Sequence, residues 1–289
     1  MSAPGITVIG SINLDLVAHC PKLPEPGETI LGDDFSISPG GKGGNQALAA
    51  RLLGAEVSVI GCIGADDHAT AATALLRQAG VNMDQCRIST SHPTGVALIA
   101  VSADGENQIV VAPGANFALS EADVPPQIDT ALIGQLEIPV PALTVAVDRC
   151  PGFKVLNLAP AKDLPDALLS QADVLIVNET EAAFYGQDKL LGFNKRVALT
   201  LGGEGAVMFH EGREVARARP PKVDVLDTVG AGDAFVAAIT LALLEGRDDQ
   251  AALEFACAVG ALATTKEGAQ TGLPDRASVD SLINTGATR

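Results

Sequence analysis

The chain has 289 residues, 47% of them apolar and 19% charged, with a formal net charge of −16. That length suits one large α/β domain or two modest ones, and the composition argues against disorder. The acidic balance argues against long nucleic acid as a partner, because phosphate backbones are held by clusters of Lys and Arg. No apolar run reaches membrane-spanning length without polar interruption, so no membrane partner is expected.

In chain order, "ITVIGSI" (6–12) reads as a buried strand and "NQALAARLLG" (45–54) as a helix closed by Gly54. "EVSVIGCIG" (56–64) reads as a strand and "DHATAATALLRQAG" (67–80) as a helix that again ends in glycine. "TALIGQLEI" (130–138), "KVLNLAP" (154–160), "DVLIVN" (173–178) and "RVALTLG" (196–202) follow at the spacing of βα units. Such continuous apolar strands suit a parallel sheet covered on both faces. Asp233 to Glu245 is apolar nearly all round, which predicts a buried helix stopped by Gly246.

Two segments break this rhythm. Residues 14–38 alternate and carry several prolines, and residues 94–112 read as a hairpin around "DGEN". The expectation is a small β layer added to the main domain as a lid. The alternative is an extra edge of the main sheet.

The five cysteines are scattered with no C-x-x-C pair, and the N-terminus has neither a basic region nor a cleavage pattern. Both point to reduced thiols and a cytoplasmic location. The four histidines are equally scattered, which gives a zinc site little support. Aromatics make up only 3% of the chain, so a polyhydroxy ligand held by hydrogen bonds fits better than a large flat ring.

Two glycine-dense stretches can approach a ligand closely. "SPGGKGGNQALAA" (38–50) contains Gly40, Gly41, Gly43 and Gly44, with Lys42 and Asn45 as side-chain donors, or Asn45 as a helix cap. "DTVGAGDAF" (227–235) opens a helix within "GAGD", where unpaired N–H groups suit an anion. No P-loop string occurs, and Phe235 takes the third glycine place of a dinucleotide fingerprint. Polar residues also end several apolar strands: Asn13 and Asp15, Glu137, Asn178 and Glu181, and the run from Thr200. In open α/β sheets, ligands bind beyond the carboxyl ends of the strands.

The strings "GSINLD", "GGKGGNQA", "GADD", "TGVALI", "PGAN", "QLEIP", "NLAPA", "NETEA", "TLGGEGA", "DTVGAGDAF" and "KEGAQTGLP" occur in that order. In them the chain resembles the ribokinase branch of the PfkB sugar kinases, nearly end to end. The resemblance implies a single three-layer α/β/α domain over 1–289, with a central, mostly parallel sheet. A small β-sheet lid, here about 14–38 and 94–112, would also pair two copies into a homodimer. It implies ATP-dependent phosphorylation of a small sugar, ribose giving ribose 5-phosphate. Another small sugar such as deoxyribose or fructose is the alternative, and a nucleoside a poorer one.

The same resemblance carries roles to matching residues. Asp233 becomes the general base, and the N–H groups of Gly230, Ala231, Gly232 and Asp233 an anion hole. The helix N-terminus is expected to favour the ionised form of Asp233. Asn13, Asp15, Gly41, Lys42, Gly43, Gly44, Asn45 and Glu137 match the sugar contacts. Asn178, Thr200, Leu201, Gly202, Gly203, Glu204, Gly205 and Cys257 match the nucleotide contacts, together with Gly232. Glu181, with Asn178, matches the N-x-x-E motif that organises Mg²⁺ through water. Asp227, Val229, Ala263, Lys266, Gly268 and Gly272 match an activating K⁺ site. Gly272 departs from the small hydroxyl residue expected there. Between "NETEAAFYG" and "VALTLGG", residues 187–196 leave little room for a full crossover helix.

Overall fold

The computed structural model describes residues 3–286. Its elements run β1 (Gly5–Ile9), β2 (Asn13–Cys20), β3 (Asp34–Gly40), α1 (Lys42–Leu52), β4 (Glu56–Gly64), α2 (Asp67–Gln78), β5 (Asn82–Ser89), β6 (Gly95–Ser102) and β7 (Asn107–Ala112). Then come β8 (Ala131–Gly134), α3 (Val140–Asp148), β9 (Lys154–Asn157), α4 (Asp166–Leu169), β10 (Val174–Asn178), α5 (Glu179–Tyr185) and α6 (Gln187–Gly192). The chain closes with β11 (Arg196–Thr200), β12 (Ala206–His210), β13 (Arg213–Ala218), α7 (Ala231–Leu244), α8 (Asp249–Ala263) and α9 (Arg276–Gly286).

Among the described residues, nine strands form the main sheet in the order β13-β12-β11-β10-β9-β8-β1-β4-β5. The pairings from β11 through to β5 are parallel, and β12 and β13 add an antiparallel edge. Strand alternation explains the layers. In β10, Val174 and Ile176 join the core formed with α1, α7 and α8, while Leu175 and Val177 join the core formed with α3 and α4. In α7, Ala234, Ala237, Ala238 and Ala242 are fully buried, and these short side chains let α1 and α8 pack close. Truncating the fully buried Ile239 to Ala would cost about 2–5 kcal/mol.

The two irregular segments form a separate four-stranded sheet, β3-β2-β6-β7, rather than an edge of the main one. The expected hairpin is β6 with β7, antiparallel, while β2 and β6 pair in parallel.

Several boundaries differ from expectation. The helix expected from residue 45 begins at Lys42, because Gly41 at φ 83° is its N-cap and the Asn45 N–H already donates to the Gly41 carbonyl. Asn45 is therefore inside the first turns and does not cap them. The strand expected over 6–12 ends at Ile9, and that over 130–138 is regular only at Ala131–Gly134. After Gly10, the chain leaves the sheet to contact α1: a Cβ on Gly10 would meet the Gln135 amide and the Gly43 backbone. In the short 187–196 connection, α5 and the six-residue α6 meet at Gly186, whose φ of 83° breaks the helix. No helix of the described residues is long and apolar enough to cross a membrane.

Candidate active site

The carboxyl ends of β1, β8, β9, β10 and β11 face the N-termini of α1 and α7. This arrangement brings Asp233 of α7 against α1. Its Oδ2 accepts from Asn45 Nδ2 at 2.9 Å, and its Oδ1 accepts from Gln46 Nε2 at 2.9 Å. Asp233 is buried, and burial pushes its carboxyl above the usual range, with the Lys42 cation and the two amides pulling the other way. The expected preference for the ionised form at a helix N-terminus is thus outweighed by desolvation. Gly230, at φ 80°, caps α7 in a left-handed conformation that a side chain would strain. The space beside Gly232 is open, whereas the Ala231 N–H donates to the Thr228 carbonyl at 3.3 Å.

Lys42 faces three carboxylates. Burial alone would lower its ammonium, but Asp233, Glu137 and Glu181 hold it above its ordinary value. Its backbone N–H and the Ser11 hydroxyl both donate to Glu137 Oε2, at 3.2 and 2.6 Å. Asp15, on β2, is buried and pushed up to about 7 by burial and by the carboxylates of Glu137 and Asp233. Asn13 Oδ1 accepts from Asn116 Nδ2 at 2.7 Å. The Asn116 amide also pairs with both backbone groups of Ile12. A Cβ on Gly41 or Gly43 would strike the backbone of residues 10–13, so α1 can approach this turn only with glycine there.

Three cavities surround these groups. One of about 490 Å³ is lined by Thr200, Gly202, Gly203, Gly205, Gly232 and Cys257, with the 220–228 loop opposite. A second, of about 150 Å³, includes Lys42, Asn178, Glu181, Thr200, Gly232 and Asp233. A third, of about 190 Å³, includes Asn13, Asn116, Glu137 and Lys162. Thr200 and Gly232 belong to both the first and the second. Leu201 and Glu204 do not line the first: the Leu201 N–H closes the turn on the Gly205 carbonyl at 2.8 Å, and Glu204 pairs with Arg219 at 3.8 Å. Burial pushes the Cys257 thiol up to about 12, which leaves it inert as a nucleophile.

Asn178 and Glu181 form a reciprocal capping box on α5, each side chain bonding the other's N–H at 2.8 Å. Burial raises the Glu181 carboxyl, against the Asn178 N–H and the Lys42 charge. Among the described residues, no group of three or more His, Cys, Asp or Glu could hold a metal ion. With Asp233 held by two amides, Glu181 is the carboxylate in the second cavity that fits Mg²⁺ held mainly by water and phosphate oxygens.

Asp227 Oδ1 accepts from the Val229 N–H at 2.9 Å and Oδ2 from the Gly268 N–H at 2.8 Å. This one carboxylate ties the loop before α7 to residues 263–272. A Cβ at Gly272 would lie 2.8 Å from the Ala263 carbonyl, 3.0 Å from that of Gly268 and 3.2 Å from that of Lys266. The Gly272 backbone thus packs close against these three carbonyls, and its N–H donates to that of Gly268 at 3.0 Å; Gly272 contributes no hydroxyl.

Sequence reasoning gave no role to Ser11, Gln46, Asn116 or Asn157. Ser11, Gln46 and Asn116 lie inside the strings "GSINLD", "GGKGGNQA" and "PGAN", and Asn157 inside "NLAPA". The signal was present, but a polar residue in a motif does not reveal which partner it grips.

A family model for pfkB family carbohydrate kinases matches residues 3–276. The chain is 38% identical to a ribokinase of Bacillus subtilis (strain 168), over 96% of this chain and 99% of that one. The solved ribokinase of Thermotoga maritima aligns with a TM-score of 0.88 at 29% identity, covering 96% of this chain and 99% of the other. The Arabidopsis thaliana ribokinase complexed with ribose and ATP aligns with a TM-score of 0.84 at 29% identity, covering 98% of this chain and 99% of the other.

Proposed function

The chain belongs to the pfkB family of carbohydrate kinases, and from that premise we propose that it transfers the γ-phosphoryl group of ATP to O5 of D-ribose. The observation that carries the reading is Asp233, a buried carboxylate held by two amides where the small central cavity meets the larger glycine-lined one. ATP takes the larger cavity, with its γ-phosphate reaching the central one past Gly232. The sugar lies on the side of Asn13, Asp15 and Glu137, whose oxygens accept from its hydroxyls, and Asn45 donates.

As O5 attacks phosphorus, its proton passes to Asp233, the bond to ADP breaks, and ribose 5-phosphate and ADP result. The raised basicity of Asp233 favours that late proton transfer. Lys42 and the amides of Asn45 and Gln46 keep enough of it ionised to begin. The free N–H groups at the start of α7 and the Lys42 ammonium face the charge that develops on the phosphoryl oxygens. Mg²⁺ beside Glu181 would neutralise phosphate charge. K⁺ among the Ala263, Lys266 and Gly268 carbonyls, with Asp227 and Val229, would brace the α7 loop from behind. The scarcity of aromatics favours a sugar over a nucleoside, and deoxyribose or fructose is the second reading. We place the enzyme in a reducing cytoplasm, in keeping with five free cysteines among the described residues, and as a homodimer through its four-stranded sheet.

The test is ATP consumption with a panel of pentoses, hexoses and nucleosides, with and without potassium. Ribose should be the best acceptor. No turnover of any sugar would sink the kinase reading, and a nucleoside preferred over ribose would sink the substrate.

A further inference from the structure

We propose that Lys162, to which the mechanism above gives no part, is a positioning residue that holds the sugar side of the site in its binding shape. The proposal rests on reading this site as that of a sugar kinase. Lys162 follows the turn after β9. Its Nζ donates to the carbonyl of Leu136, the residue before Glu137. The same ammonium lies 5.0 Å from the centroid of the Phe117 ring. Phe117 follows Asn116, whose amide holds Ile12 and Asn13. Thus one cation joins the segment that carries Glu137 to the segment that orients Asn13.

The anchor itself is fixed from the other side. Tyr185 Oη accepts from the Lys162 N–H at 3.3 Å and donates to the Lys162 carbonyl at 2.6 Å. Tyr185 ends α5, the helix whose first turn carries Glu181. Asn13, Asn116, Phe117, Glu137 and Lys162 line one cavity, so a loosened Lys162 would be felt where the sugar hydroxyls bind. Burial lowers the Lys162 ammonium and the Glu137 carboxylate pulls it back, so the charge is tied electrostatically to the same side of the site. Methionine at 162 would fill the space but could neither donate to Leu136 nor offer charge to the ring. Arginine keeps both abilities.

The experiment compares steady-state kinetics of the wild type, K162M, K162R, F117L and K162M/F117L, varying ribose and ATP separately. K162M should raise the ribose KM about 10- to 100-fold, as loss of a charge-assisted hydrogen bond does, while kcat and the ATP KM stay within about twofold. K162R should recover most of the loss. F117L should raise the ribose KM by a smaller factor, and the double variant by less than the product of the two single effects. An unchanged ribose KM in K162M, an equal rise in the ATP KM, or an arginine variant as impaired as the methionine one would overturn the proposal. Should K162M fail to fold, an unchanged ribose KM in F117L overturns it instead. A wild type silent on every sugar would overturn the functional reading together with this proposal. An active wild type with an indifferent K162M overturns this proposal alone.

Discussion

Gln46 Nε2 donates to Asp233 Oδ1 at 2.9 Å, and the same nitrogen donates to Asn157 Oδ1 at 3.2 Å. One amide thus fixes the proposed base of α7 to both α1 and the end of β9. Its bond also lowers the Asp233 carboxyl against the dominant effect of burial. Replacing Gln46 with Leu should therefore reduce kcat by roughly 10- to 100-fold, the worth of a hydrogen bond to a charged group. It should also move the acid limb of kcat/KM to higher pH, because the base loses a donor to its ionised form. A pH–rate profile with unmoved limbs would contradict this link.

Asp15 carries a stability cost that the proposed sugar-binding role would explain. Burial, with two neighbouring carboxylates, pushes its folded carboxyl up to about 7 from an ordinary 3.8. Between those values the folded chain holds a proton that the unfolded chain has released. The contribution to stability is therefore complete below the unfolded value and is lost as pH rises through about 7. Asp15→Asn, neutral at every pH, should melt higher than the wild type at pH 8 without ligand, with the gap narrowing as pH falls below about 7 and closing only near the unfolded value of 3.8. It should also raise the ribose KM about tenfold or more, through loss of an acceptor worth at least 1.4 kcal/mol. Thermal melts across pH and the ribose KM test both halves.

Potassium should increase turnover at constant ionic strength, with choline as the inert replacement. Gly272 shapes the expected response to mutation. A side chain there meets three carbonyl oxygens at 2.8–3.2 Å, so Gly272→Ala should push these carbonyls aside and, if they hold the proposed potassium ion, raise the half-activating potassium concentration. Turnover indifferent to potassium would remove the cation from the account.

The four-stranded sheet carries an apolar row across its strands. Registers place Ile37 opposite Leu16, Leu16 opposite Leu98, and Leu98 opposite Val110. Ile37, Leu98 and Val110 are 55%, 50% and 64% exposed, which a sheet face leaves to water only at a cost. If the proposed homodimer uses this face, Leu98→Lys with Val110→Lys should weaken it by roughly tenfold or more, since about 1.4 kcal/mol suffices for that factor. Sedimentation velocity across a dilution series would register it, and a wild type that is monomeric throughout would refute the pairing.

The legible part of the fold was the part set by local pattern. The alternating cores of β10, the glycine stops after α1 and α2, and the α7 start within "GAGD" all follow from period and capping. The start of α1 is not legible in the sequence, because Asn45 has the side chain of a cap, yet its amide is drawn 188 positions along the chain to Asp233. β5 and the β12–β13 edge escaped because their strands are short or half exposed and give weak alternation. For the site, motif order singled out Asp233, Glu137 and Lys42, which the structure brings close together. Gln46, Asn116 and Lys162 act through long-range contacts, which no spacing in the sequence encodes.

The most direct test of the account is ATP-dependent phosphorylation of ribose by Asp233→Asn. The variant keeps the size of the side chain but cannot accept the O5 proton. kcat should fall about 100- to 10,000-fold, the usual worth of a general base, with the ATP KM little changed. Turnover equal to that of the wild type would contradict it.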